Sequence, residues 1–197
     1  MDYTAYHAVN ELMLDDSWIG RSLSALESWS IPLLAAATFA LWLFARPGSS
    51  RKWKLACASA LASSGLALLI NLLIADLWDR ARPFVSHPSV HVWGPRSRDA
   101  SFPSDHASAA FAIAFAVFLF DRLVGSLFLA AAFVIGIGRV FIGVHYPSDV
   151  LAGFLIGLAA ALLVVHLLRP LIERAVRLVE RVTDPLLASV WRLMPSR

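Results

Sequence analysis

Three short stretches decide how this chain is read: R-A-R-P-F at Arg80–Phe84, F-P-S-D-H at Phe102–His106, and R-V-F-I-G-V-H-Y-P-S-D at Arg139–Asp149. Each combines arginine, histidine or aspartate with a proline, and each sits at the edge of an oily run. Ionisable groups at a membrane edge cost free energy unless they are paired or used. The rest of the 197 residues is read as the scaffold that brings these three clusters to one membrane surface.

Composition supports a membrane scaffold. The chain is 58% hydrophobic and 16% charged, with a mean hydropathy of +0.67, whereas an average soluble domain carries roughly 25% charged residues. Five apolar spans are predicted, over residues 28–45, 53–78, 105–120, 123–142 and 147–168. The fold class is therefore all-α, a polytopic membrane bundle of five to six helices. Residues 1–27 carry Tyr6, Val9, Leu12, Met13 and Trp18 at a partly helical spacing, among mostly acidic charges. They are read as an amphipathic interfacial helix. Residues 1–168 form the membrane domain, and residues 169–197 a tail with Arg169, Arg174, Arg177, Arg181, Arg192 and Arg197. The tail reads as a basic amphipathic helix on an anionic surface, broken at Asp184-Pro185. Gly153 and Gly157 form a small-xxx-small pair suited to internal helix packing.

Basic residues also orient the chain. The segment Arg46–Lys54 has four basic residues and no acids. Together with the basic tail it marks the cytoplasmic side. The chain is thus expected in the plasma membrane with its N-terminus and the three clusters outside and its C-terminus inside. Arg80 and Arg82 then stand on the outer side against the positive-inside bias, which points to use in anion binding. His145 follows His106 by 39 positions, and two crossings at roughly 20 residues each return the chain to the same face. Nucleic acid is excluded as a partner, since no basic helix or aromatic–basic platform lies outside the membrane flanks. Cys57 stands alone in an apolar run and reads as a small buried side chain. His87 and His91 lack nearby carboxylates at zinc-ligand spacing, and no metal site is expected.

The residue types at this spacing suit phosphoryl chemistry. Asp149 falls in the first turn after Pro147 and can reach the His145 imidazole. A carboxylate on one ring nitrogen fixes the tautomer and leaves the other free to attack. Ser104 is a natural N-cap, and helix N-termini bind phosphate through free N–H groups. His106 in that first turn is placed to act as a general acid. Arg80, Arg82 and Arg139 offer guanidinium forks that match phosphate oxygens.

Taken together, R-P, P-S-x-H and R-x5-H-x3-D, in this order at span boundaries, resemble the type 2 phosphatidic acid phosphatase superfamily. Its usual signature is K-x6-R-P, P-S-G-H and S-R-x5-H-x3-D, and the likeness covers roughly residues 70–160. With F-P-S-D-H the chain looks most like the bacitracin-resistance type of undecaprenyl-diphosphatase. The resemblance implies cofactor-free hydrolysis of a membrane lipid phosphate. His145 would be the nucleophile, Asp149 its orienter and His106 the acid. Arg82, Arg139, Ser104, the backbone near Asp105, and Arg80 would hold phosphate. Undecaprenyl diphosphate is the expected substrate, with phosphatidylglycerol phosphate or phosphatidate as the alternative. A non-catalytic lipid-binding protein with a degenerate site is a further alternative. Ala75 stands where the lysine is usual, Asp105 where the signature has glycine, and Gly138 where it has serine. Oligomeric state has no signal in the sequence.

Overall fold

The computed structural model describes residues 2–11, 18–45 and 51–193. Its described residues are all helical or irregular. In chain order the helices are α1 (Asp2–Asn10), α2 (Trp18–Phe44), α3 (Lys52–Leu77), α4 (Pro83–Ser86), α5 (Asp105–Phe120), α6 (Arg122–Phe141), α7 (Pro147–Leu162) and α8 (Arg169–Leu193). A π-helical turn at Leu163–Leu167 joins α7 to α8. Lys52–Leu77, Arg122–Phe141 and Pro147–Leu167 are long and apolar enough to cross a membrane; Glu27–Leu43 and Asp105–Phe120 are shorter apolar stretches. The five predicted spans are therefore present as five apolar helical stretches.

α5 is the central helix, packed against α3, α6 and α7. Its sequence explains this position. Alanines 107, 109, 110, 112, 114 and 116 are all buried, and small side chains on several faces let three neighbours approach closely. α7 comes nearest where it has no side chain. A Cβ at Gly153 would lie 2.8 Å from the Ala107 Cβ, and one at Gly157 would lie 2.7 Å from the Ala112 nitrogen. The two glycines thus serve internal packing. Gly153→Leu is expected to push α7 off α5 one turn after Asp149 and to destabilise the fold by several kcal/mol, beyond the usual ~1–3 kcal/mol of overpacking because backbone blocks the way. A thermal melt of the detergent-purified protein measures it; an unchanged melting temperature would refute the close approach.

The two ends of the bundle differ in charge chemistry. At one end, Lys52 reaches the Asp121 carboxylate at 2.5 Å, and Asp121 also caps α6 through the Leu123 and Val124 N–H groups. Arg51 pairs there with Glu180, and Lys54 with Asp184. The three sequence clusters lie together at the other end.

Three boundaries differ from the sequence reading. α2 begins ten residues before the predicted span, so residues 1–27 are divided between α1 and the start of α2. Leu12 and Met13 of the expected amphipathic spacing lie outside the described residues. So do residues 46–50 of the basic loop and 194–197 of the tail. α1 is also more than a surface helix: Tyr6 is fully buried and donates to the Gly143 carbonyl (3.3 Å), while the Asn10 amide donates to the His91 carbonyl (2.9 Å). Finally, α8 runs through Pro185 rather than breaking there. Lys54 grips Asp184 at 2.7 and 2.9 Å, and with Arg51 on Glu180 these contacts hold the helix across the one backbone bond that proline removes.

Candidate active site

The site is assembled from chain segments that exchange backbone bonds. After α3 the chain turns tightly at Asp79, with the Arg80 N–H donating to the Trp78 carbonyl (2.9 Å), and leads through Arg82 into α4, while the Ser101 N–H donates to the Arg80 carbonyl (2.8 Å). α6 ends at Phe141, and the chain turns through Gly143 at φ +84°. A Cβ there would come within 2.2 Å of the His91 carbonyl oxygen, so this turn requires glycine. Pro147 then starts α7 at a position where its missing N–H costs nothing.

Asp149 is fully buried and every contact it makes is directional. Oδ2 accepts from the Tyr146 N–H (2.9 Å) and the Ser101 hydroxyl (2.6 Å), and Oδ1 accepts from Arg80 (2.6 Å). Oδ2 lies 3.5 Å from His145 Nδ1. That same Nδ1 is closer to the Ser101 carbonyl oxygen, at 2.8 Å. A carbonyl can only accept, so Nδ1 carries the proton and Nε2 keeps its lone pair. Arg82 Nη1 stands 3.2 Å from Nε2 and 3.1 Å from the Val144 carbonyl. The predicted His145–Asp149 pairing is therefore present, with the Ser101 backbone as the nearer partner of the ring.

Burial holds the His145 pKa below the ordinary imidazole value of about 6.5; the neighbouring Arg139 and Arg82 act in the same direction, against the opposing effect of Asp149. A lowered pKa means that the ring stays neutral through pH 7 and protonates only as the pH falls further. We expect an ¹⁵N NMR titration of the detergent-solubilised protein to place the His145 midpoint below 6.5; a midpoint at or above it would refute this electrostatic reading.

A cavity of about 220 Å³ is lined by Arg82, Asp105, His106, Arg139, His145 and Glu27 among others. It brings together five of the eight residues singled out in the sequence. The other three stand behind it. Asp149 supports His145. Ser104 is fully buried and caps α5, its hydroxyl accepting from the Ala107 N–H at 3.4 Å. Arg80, expected on the phosphate, instead binds Asp149, Ser148 (2.6 Å) and Asp2 (2.5 Å) and stacks 4.0 Å over the Tyr146 ring. Its guanidinium is drawn there because Asp149 and Asp2 together offer it two carboxylates away from the cavity.

Several contributors were not singled out in the sequence. Ser101 holds both His145 and Asp149. Asp99 takes Arg82 Nη2 at 3.2 Å. Glu27 pairs with Arg139 Nη1 at 3.2 Å. Asn71 donates to the Asp105 carboxylate (2.7 Å) and to the Ser108 hydroxyl (2.9 Å). Asp105 thus has a specific partner at the position where glycine is usual. Among the described residues no cluster of histidine, cysteine and carboxylates is arranged to hold a metal ion.

All-helical or irregular in its described residues, with three helices long and apolar enough to cross a membrane, the chain has the architecture of an integral membrane protein. The chain belongs to the PAP2 superfamily, whose family model matches residues 55–173. It is 31% identical over 189 residues to the undecaprenyl-diphosphatase BcrC of Bacillus subtilis, covering 94% of this chain and 95% of that one. It is 37% identical to the putative undecaprenyl-diphosphatase YbjG of Escherichia coli, over 67% of this chain and 63% of the relative. Among solved structures, Aquifex aeolicus LpxE superposes with a TM-score of 0.67 at 21% identity, covering 82% of this chain and 93% of that one. That likeness concerns the fold.

Proposed function

We propose that the protein hydrolyses undecaprenyl diphosphate to undecaprenyl phosphate and inorganic phosphate through a phosphohistidine. The observation that carries this reading is the His145 tautomer. Nδ1–H is committed to the Ser101 carbonyl, and the Nε2 lone pair accepts from Arg82 Nη1 in a residue that lines the cavity, a bond the entering phosphoryl group takes over from Nε2. In the first step Nε2 attacks the terminal phosphorus. The bond from that phosphorus to the bridging oxygen breaks, and His106 gives its proton to the leaving undecaprenyl phosphate. In the second step His106 takes a proton from water, whose oxygen attacks the phosphohistidine; the P–N bond breaks and inorganic phosphate leaves. Arg82, Arg139 and the backbone N–H groups at the start of α5 stabilise the charge that builds on the phosphoryl oxygens. Asp149 steadies His145, and Arg80 steadies Asp149. Ser104 serves by fixing the start of α5.

The relatives named undecaprenyl-diphosphatase support the choice of substrate. The active-site end faces outward in this reading, because the basic residues Arg51, Lys52 and Lys54 and the α8 arginines gather at the opposite end. The prenyl chain then stays in the bilayer while the diphosphate enters the cavity, and α8 lies at the cytoplasmic surface. The test is phosphate release from a panel of undecaprenyl diphosphate, phosphatidylglycerol phosphate and phosphatidate in mixed micelles. Undecaprenyl diphosphate is expected to give the highest kcat/KM, and EDTA to leave the rate unchanged. A preference for an acyl-chain phosphate would overturn the substrate; strong loss in EDTA would overturn the metal-free route.

A further inference from the structure

Glu27 and Arg139 form a buried ion pair on the cavity wall. Nη1 and Oε1 are 3.2 Å apart, and the side chains are only 8% and 6% exposed. Arg82 has a carboxylate of its own in Asp99, but Asp99 is 60% exposed. Each cavity arginine therefore carries an acid. Water screens the Asp99 charge and largely spares that of Glu27. Two further observations single out this pair. Arg139 Nε is buried and has no hydrogen-bond partner among the described residues, so the Glu27 carboxylate is the partner that holds this guanidinium. In addition, the one non-neighbouring atom that a Cβ at Gly138 would meet is Glu27 Oε2, at 3.2 Å. The missing side chain at 138 leaves the space that the carboxylate occupies.

Phosphoryl transfer in this cavity leaves inorganic phosphate facing Arg82, Arg139 and the start of α5. A site that binds its product as well as its transition state turns over slowly, since only differential binding accelerates the reaction. We propose that Glu27 is a positioning residue that acts through Arg139: it holds Nη1 and competes with inorganic phosphate for the guanidinium charge, so that the product is released after each turnover. This inference rests on reading the cavity as a phosphoryl site.

The experiment uses the full-length protein in detergent and inorganic phosphate as the probe, with its affinity measured by calorimetry and lipid-phosphate turnover measured alongside. Glu27→Gln keeps the shape and removes the charge. It is expected to bind inorganic phosphate roughly tenfold more tightly, at the modest end of close charge-pair couplings, and to lower kcat and KM together. A merely structural role would weaken phosphate binding. In an Arg139→Ala background the same substitution is expected to change phosphate affinity by less than about twofold, because residues that act as one unit are not additive. Unchanged or weaker phosphate binding in Glu27→Gln, or the full tightening without Arg139, would overturn the proposal. Gly138→Val provides a second route should Glu27→Gln not fold. It crowds the carboxylate away from Arg139 and must also tighten phosphate binding; unaltered affinity there counts against the proposal. A wild-type protein that neither binds phosphate nor releases it from any lipid would overturn the proposed function, and this inference with it. Wild-type turnover with an unaffected Glu27→Gln overturns the inference alone.

Discussion

Replacing His145 by alanine is expected to lower phosphate release on the order of 10⁴-fold or more, as loss of a covalent nucleophile does elsewhere. The geometry sets the size of the effect. His145 is 2% exposed, its Nδ1 is held by the Ser101 carbonyl, and Arg82 Nη1 lies 3.2 Å from Nε2. Without the imidazole only the far slower direct attack of water on phosphorus remains. The decisive readout is the intermediate. Wild-type protein quenched during turnover of ³²P-labelled substrate should carry acid-labile, base-stable label, as expected of a P–N bond, and His145→Ala should carry none. Near-wild-type turnover by His145→Ala would end the nucleophile assignment. Label of the same chemistry in that variant would move the nucleophile to another histidine.

The supports of that nucleophile show what was legible in the sequence. His145, Asp149 and Arg139 lie within the same short stretch of chain joining α6 to α7, and Pro147 sets where α7 starts, so their proximity followed from spacing alone. His106 followed from counting two crossings. The partners that complete the site come from far away in the chain and belong to residue types with no diagnostic spacing. Ser101 contacts His145 across 44 positions and Glu27 contacts Arg139 across 112. A serine before Phe102 and a single acid at the edge of an apolar run look ordinary until the helices are packed. Arg80 shows the reverse case. Its placement among the clusters was read correctly, but its direction was decided by Asp2, a residue of the helix α1 that the sequence presented as a surface element. The start of α2 was hidden for a similar reason: Arg21 and Glu27 interrupt the apolar pattern of a helix that is already under way. Pro185 looked like a break, and the ion pairs of Glu180 and Asp184 with α3, 129 and 130 positions away from their partners, hold α8 continuous through it.

His106→Ala is expected to lower turnover of the diphosphate by about 10²–10⁴-fold, the usual worth of a positioned general acid–base. Its dependence on the leaving group distinguishes this residue from His145. His106 lines the same cavity as His145, and α5 begins one residue earlier at Asp105, so the proposed function puts this first-turn residue beside the attacked phosphorus. An acid there matters in proportion to how strongly the departing oxygen needs a proton. An aryl phosphate such as p-nitrophenyl phosphate departs as a stable anion and needs little protonation, as does the undecaprenyl phosphate leaving the diphosphate, where His106 counts chiefly as the base of the second step; an alkyl phosphate departs as an alkoxide and needs the proton fully. The His106→Ala penalty on the first step should therefore shrink by roughly tenfold or more when the aryl ester replaces an alkyl phosphate, while the His145→Ala penalty stays the same for both. Burst kinetics separate the steps. With the aryl ester, His106→Ala should release one equivalent of nitrophenol quickly and then stall, because the phosphohistidine still waits for a base to activate water. Equal penalties on both esters with no burst would remove His106 from proton transfer and leave it as a cavity wall residue.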